Sequence, residues 1–549
     1  MTTVAEAIAA ALADAGVRRA FGVVGVGNVH LVAALTGTDV RYVAARHEAG
    51  AAAMADAYHR VCGEVGVCTV TYGPGLTNTA TSLADAVKNR SALVVLCGAP
   101  PGGRQRPIDI DDEALAAALG AAAVRVSAPE EAVPAVTAAL HRTRAEGRPV
   151  LVLLPVDVQD SPAPVTAPVP PAPTPVRAAP ERPPGTAELV ELIGAAERPL
   201  LLAGLGAWRA GAQAEIARLA DLCGGLLANT LQAKGVFGDN PWSIGIVGNL
   251  SSPEAVGLIG AADLVIAFGT SMSGWTLHGG RLIPPEATVV QVDHRAEQLS
   301  PRTDVGVVAD ALDVATALCD ALTSRTPPSG WRQRVADRLD GARWERLGFT
   351  DRSTAERIDP RSLTLALAKL LPEERTVVTD GGHFIGWPAR YWPVPDPAGF
   401  VFTGVSLQSI GLGFAGAVGA AVGRTDRVVV LATGDGGALM GLAELETLIR
   451  TADSALVVVY DDAAYGAEVH MYGHLPVAAG TVFTDTDFCG LARSLGAEAA
   501  VVRTVRDLEA VRTWRAGGCT GTLLLDCKVV REVVGDYLGA PTTSAAAAH

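Results

Sequence analysis

No run of about 18 uninterrupted apolar residues occurs, so no membrane-spanning helix is expected, although 49% of the 549 residues are hydrophobic. Cysteine is sparse: eight residues at irregular spacing, none in a C-x-x-C pair. They read as small buried hydrophobes of a reducing compartment rather than a disulfide framework. Positive charge is also short, 44 Lys and Arg against 58 Asp and Glu, and a net charge of −14 argues against a nucleic-acid partner. Met1 to Ala15 contains Glu6 and Asp14 and lacks a basic start, so no secretory signal is expected. These absences leave a soluble cytoplasmic α/β protein of about three domains by length.

The chain does contain short apolar runs that end on glycine. Val428-Val429-Val430-Leu431 runs up to Gly434-Asp435-Gly436-Gly437, which reads as a buried parallel strand followed by a turn. Glu444, Leu445, Leu448 and Ile449 fit a helix, and Ala455 to Tyr460 fits the next strand. A βαβ unit puts both strand ends on one sheet edge, so Asp435 meets Asp461-Asp462 although about 27 residues separate them. Glycines let backbone N–H groups approach an anion, and the carboxylates suit a hard cation such as Mg²⁺ bridging to a diphosphate. Gly-Asp-Gly alone would fit a plain α/β turn equally well.

The alternation recurs along the chain. Strands are expected at Ala20–Val24, Arg41–Ala44, Gly66–Val70, Leu93–Gly98 and Val150–Leu154, then at Pro199–Gly204, Asp263–Gly269 and Thr288–Asp293, and again from Thr376 onward. The predicted class is α/β, with three doubly wound parallel-sheet domains at residues 1–160, 187–325 and 360–535. A Pro- and Ala-rich linker spans 161–186. A connection at 326–359 lies in a stretch, Ala311 to Pro360, that reads as helical with one polar break. Residues 536–549 read as a tail, disordered from Ala540.

Arg46-His47-Glu48 opens an Ala-rich helix containing Tyr58 and Arg60, and Gly73-Pro74-Gly75-Leu76-Thr77-Asn78 closes the third strand. With Gly-Asp-Gly following about 390 residues later, this order resembles the thiamin-diphosphate-dependent enzymes of the acetolactate synthase and 2-oxo acid decarboxylase family. The resemblance implies pyrimidine-binding, central and diphosphate-binding domains. It makes Asp435, Asp462 and the Ala464 carbonyl the Mg²⁺ ligands. Glu48 becomes the carboxyl that shares a proton with the cofactor's aminopyrimidine, a task favoured by an apolar pocket. A glutamate in a first helical turn is otherwise an ordinary surface residue. Pro74 and Asn78 match ring contacts. Gly382, His383 and Phe384, with Gly434, Gly436, Gly437, Tyr465 and Gly466, match the diphosphate surroundings. Ile410 matches a wedge between the two cofactor rings, and the Gln408 carbonyl an acceptor for the ring amino group.

The chain departs from the family at several places. Asp461-Asp462 stands where Asn-Asn is usual, which puts metal affinity in question. Val26 replaces an Asp found in pyruvate decarboxylases. Val26, Gly27, Asn28, Gln105 and Trp387 are the candidate substrate-pocket residues. The segment Thr270 to Trp275 lacks the arginines that acetolactate synthases place there, so FAD is not expected. Glu468 matches a decarboxylase acid–base glutamate, and His470 is a second candidate. The implied reaction is decarboxylation of a 2-oxo acid, followed by carboligation to a second carbonyl or by aldehyde release. A homodimer or homotetramer is implied. The alternative is a catalytically silent homologue serving as a binding or regulatory subunit.

Overall fold

The computed structural model describes residues 2–103, 106–107, 109–164, 183–323 and 330–538. Three six-stranded sheets follow one another along the chain, and every strand pair in them is parallel. The first contains β1 (Arg19–Gly22), β2 (Arg41–Ala44), β3 (Gly66–Val70), β4 (Leu93–Ala99), β5 (Ala122–Arg125) and β6 (Val150–Pro155). The second contains β7 (Pro199–Ala203), β8 (Leu226–Asn229), β9 (Ser243–Ile246), β10 (Leu264–Phe268), β11 (Thr288–Asp293) and β12 (Val305–Val308). The third contains β13 (Arg375–Thr379), β14 (Phe400–Phe402), β15 (Val428–Gly434), β16 (Ser454–Asp461), β17 (Glu498–Val502) and β18 (Gly521–Lys528). Their central strands are apolar runs buried on both faces, as parallel sheets covered by helices require.

Strand order decides where ligands can sit. The outer sheets share one order, β2-β1-β3-β4-β6-β5 and β14-β13-β15-β16-β18-β17. The chain reverses direction across the sheet between β1 and β3, and between β13 and β15, leaving a crevice at those carboxyl ends. The middle sheet, β12-β11-β10-β7-β8-β9, has its reversal between β7 and β10, the order of a dinucleotide-binding fold.

The first and third domains share one apolar core. Helix Glu48–Cys62 lies against helix Gly413–Gly423, and both are rich in Ala and Gly, so their backbones approach closely. A Cβ on Gly419 would lie 2.2 Å from the Met54 carbonyl oxygen.

The stretch Ala311 to Pro360 is less helical than its pattern predicts. Helix Ala311–Leu322 is followed by Trp331–Val335 and short 3₁₀ turns that end at Arg346. Residues 347–358 run without a helix because their polar groups bond to the third sheet instead. Ile358 N–H donates to the Lys528 carbonyl, and the Arg357 guanidinium donates to the Asp461 and Val529 carbonyls. Residues 536–538, read as tail, form a turn in which Tyr537 is buried. The rest of the expected tail, 539–549, lies outside the described residues.

Gly419→Val should destabilise the protein by about 1–3 kcal/mol, because the tight helix pair has no room for a side chain. An unchanged melting temperature would contradict this packing.

Candidate active site

A cavity of about 1030 Å³ opens at the carboxyl ends of β13 and β15 and extends to those of β7 and β10. Gly382, His383, Trp387, Asp435, Asp462 and Tyr465 line its third-domain end. β15 and β16 pair in register to Gly434 and Tyr460, which sets Asp435 beside Asp461 and Asp462 as the βαβ reading requires.

Asp435 begins helix Asp435–Met440 and accepts from the Ala464 N–H at 3.0 Å. Asp435 and Asp462 are 3% and 6% exposed, and no Lys or Arg among the described residues ion-pairs with either carboxylate. Burial, reinforced by Asp462 and Asp461, pushes the Asp435 carboxyl up to about 8. Burial also pushes Asp462 up to about 7, against the pull of Arg531. Two buried carboxylates without a counter-cation are a donor set for a hard divalent ion. Gly466 keeps the place open, since a Cβ there would sit 2.5 Å from Asp462 Oδ2.

The two adjacent aspartates do different work. Asp461 Oδ2 accepts from Lys528 Nζ at 2.5 Å, and its Oδ1 accepts from the Ala463 N–H at 3.0 Å. The additional carboxylate is therefore neutralised below the site. It holds a strained turn, with Ala463 at φ 56°, that presents Asp462 and Ala464. Arg531 braces the outside of the turn through the Asp462 and Ala463 carbonyls.

Gly382, at φ 140°, leads into His383 and Phe384. Burial, with His470 alongside, lowers His383 to about 3, so it is neutral. Its Nε2 accepts from the Gly535 N–H, leaving the proton on Nδ1, 4.0 Å from Asp462 Oδ2. A neutral ring at that distance makes no ion pair. Tyr537 O–H donates to the His383 carbonyl, so the end of the described chain closes over this loop. Phe384 stacks on Tyr460, with ring centroids 5.6 Å apart. The His470 ring is tilted at 58° to that of His383, centroids 4.5 Å apart, and a ring nitrogen of His470 lies within 4.8 Å of an Asp462 carboxylate oxygen, which sets it on the carboxylate side. Glu468 is exposed at the cavity wall. The structure thus separates the two acid–base candidates. Gln408 and Ile410 also line the cavity, and Ile410 packs against Gly381.

In the first domain, Glu48 is the first residue of its helix and half-buried, with Asn78 Nδ2 donating to its Oε2 at 2.9 Å. Pro74 opens the short helix that carries Asn78's loop. Glu48 does not line the cavity that contains Asp435 of the same chain. Asn28 is turned inward, bonded to the Val23 carbonyl and to Thr69, and braces a loop that leaves Val26 71% exposed. Gly27 packs against Thr71 and Tyr72. Gln105 lies outside the described residues.

Glu444 was not legible as a site residue. From the third domain, its carboxylate accepts from the backbone N–H groups of Arg46 and His47 at 3.0 and 2.8 Å, fixing the start of the Glu48 helix. Its only sequence signal is a charged residue beside Leu445 in an amphipathic helix. Thr270, Ser271, Ser273 and Trp275 of the arginine-free loop line the cavity. The cavity's central-domain end takes Arg90, Arg209 and Arg295 from other segments.

Comparisons with known proteins match three family models: "Thiamine pyrophosphate enzyme, N-terminal TPP binding domain" over residues 2–119, "central domain" over 186–318, and "C-terminal TPP binding domain" over 380–527. A "Probable acetolactate synthase large subunit" of Methanocaldococcus jannaschii is 30% identical, over 90% of this chain and 86% of the relative. A "Probable 2-ketoarginine decarboxylase" of Pseudomonas aeruginosa is 30% identical, over 96% and 94%. A "Sulfoacetaldehyde acetyltransferase" of Castellaniella defragrans is 26% identical, over 92% and 89%.

Two outcomes follow from the carboxylate geometry. Asp435 and Asp462 have raised folded-state values, so their unfavourable ionisation sets in as pH rises from about 4 to about 8, and the metal-free fold loses stability over that range. Mg²⁺ should therefore raise the melting temperature more at pH 8 than at pH 6; equal shifts would contradict the assignment. Lys528→Met should cost about 3–5 kcal/mol by stranding Asp461 and Asp526, which both pair with it, and Asp461→Asn in the same chain should recover part of it. Additive losses in a double-mutant cycle would show that the pair is not coupled.

Proposed function

The chain belongs to the thiamine pyrophosphate enzyme family, and from that premise we propose that it decarboxylates a 2-oxo acid and then passes the acyl unit to a second carbonyl or releases an aldehyde. The observation that carries this reading is the buried pair Asp435 and Asp462, without an ion-paired Lys or Arg among the described residues, lining a large cavity. Thiamin diphosphate, when bound, supplies the nucleophilic carbon and the electron sink for loss of CO₂. Asp435, Asp462 and the Ala464 carbonyl hold Mg²⁺. Gly382, His383, Phe384, Gly434, Gly436, Gly437, Tyr465 and Gly466 enclose the diphosphate. A neutral His383 adds no competing positive charge and can donate from Nδ1.

Ile410 and the Gln408 carbonyl would hold the cofactor's rings, Pro74 would pack beside the pyrimidine, and Glu48, steadied by Asn78, would hold the proton exchanged with it. Glu468 moves a proton at the open end of the cavity. His470, neutral through burial, is its second candidate. Trp387 and Val26 limit the substrate's size. Because Glu48 is outside its own chain's Asp435 cavity, a second copy supplies it, which makes a homodimer the minimum and a homotetramer compatible. Val26, Leu439, Met440 and Tyr472, all exposed in the single chain, are the apolar surface such a copy would cover. No described helix is long and apolar enough to cross a membrane, and the proposed location is the cytoplasm. Retention of Glu48 with its Asn78 partner favours an enzyme over a silent subunit.

Glu48→Gln should lower kcat by about 100-fold or more while thiamin diphosphate still binds; retained turnover would refute the role. A screen of 2-oxo acids for CO₂ release should find a substrate, and Glu468→Gln should change the ratio of aldehyde to ligated product. An unchanged ratio and rate would remove Glu468 from the site. Absorbance near 450 nm in the purified protein reads directly whether the central domain holds a flavin.

A further inference from the structure

The segment from Thr403 to Leu412 carries Gln408 and Ile410, and it has no helix or strand to hold it. Three of its residues have positive φ: Gly404 at 77°, Gln408 at 61° and Gly411 at 87°. Gln408 is the costly one, since side-chain-bearing residues persist there only when their surroundings over-determine them. The far end of the segment is pinned inside its own domain, where the Asp380 carboxylate accepts from the Gly411 N–H at 3.0 Å.

The near end is pinned from the first domain. Asp85, 2% exposed, accepts from the Ser406 and Leu407 N–H groups on Oδ1, both at 2.9 Å. Its Oδ2 accepts from the Gly404 N–H at 3.1 Å and from Asn89 Nδ2 at 2.7 Å. Asn89 Oδ1 in turn accepts from Ser406 Oγ at 2.7 Å. One buried carboxylate thus satisfies three backbone donors of a loop more than 300 residues away.

We propose that Asp85 is a positioning residue for the ring-binding half of the site, acting through the 404–410 loop. The inference rests on the thiamin-diphosphate reading and adds a residue to it that touches neither cofactor nor metal. Remove the carboxylate and three backbone N–H groups lose their acceptor, so the first domain keeps only the Asn89–Ser406 bond to hold the segment that carries Gln408 in its left-handed conformation. The diphosphate half, built on Asp435, Asp462 and Gly382, is anchored independently of Asp85.

That independence supplies the test. Asp85→Asn, which keeps size but offers one acceptor oxygen, is compared with the parent protein by calorimetry against two probes in excess Mg²⁺: thiamin diphosphate and inorganic pyrophosphate. Affinity for thiamin diphosphate should fall about tenfold while that for pyrophosphate stays within about twofold. Equal losses for both probes would mean a merely structural role, and no loss for either would mean no role; both overturn the proposal. A parent protein that binds neither probe overturns the cofactor reading itself. Should Asp85→Asn fail to fold, Ser406→Ala removes only the hydroxyl bond to Asn89. A loss of about twofold or more confined to thiamin diphosphate supports the proposal, and unchanged affinity overturns it.

Discussion

Asp435 and Asp462 are pressed together in the protein interior, and no Lys or Arg among the described residues forms an ion pair with either. Ionising them there costs free energy that a divalent cation held between them would offset. The surrounding residues serve this requirement. Lys528 pairs with Asp461, and with Asp526 beside it, so the metal-ligand role falls to Asp435 and Asp462. Ala463 accepts a strained backbone, and Gly466 leaves out a side chain, so that two carboxylates and one carbonyl converge.

The larger architecture is arranged around the same point. Crossover topology puts the loops after β13 and β15 on one edge, and Ala- and Gly-rich helices bring the first domain hard against the third. Buried carboxylates cross that seam in both directions. Glu444 reaches from the third domain to the start of the Glu48 helix, and Asp85 reaches from the first to the 404–410 loop. Each lies on a helix and accepts from backbone groups that have no secondary structure of their own. The seam therefore registers the two binding halves of the chain against each other, independently of how copies assemble.

Much of this was legible in the residues because local patterns encode it. Apolar runs ending on glycine gave the buried strands, and the spacing of Asp435 and Asp462 gave their meeting. The roles of Asp461, Asp85 and Glu444 were not legible, because each partner lies far away in the chain and a single charged residue on a helix has no distinguishing period. The irregular course of 347–358 escaped for a similar reason: Arg357 and Ile358 bond to strand ends more than 100 residues on. The arginines that line the central-domain end of the cavity, Arg90, Arg209 and Arg295, lie outside the loop read for them, because they come from segments distant in the chain.

The proposal that Glu48 and Asp435 of different copies form one site is tested most directly by complementation. Glu48→Gln and Asp435→Asn chains, each inactive alone, are co-expressed in equal amounts and the assemblies are assayed without separating them. In a mixed dimer one site carries both changes and the other carries neither, so the unfractionated mixture should recover about a quarter of wild-type activity. If each chain instead supplied both residues to its own site, every site would carry one change and the mixture would remain inactive.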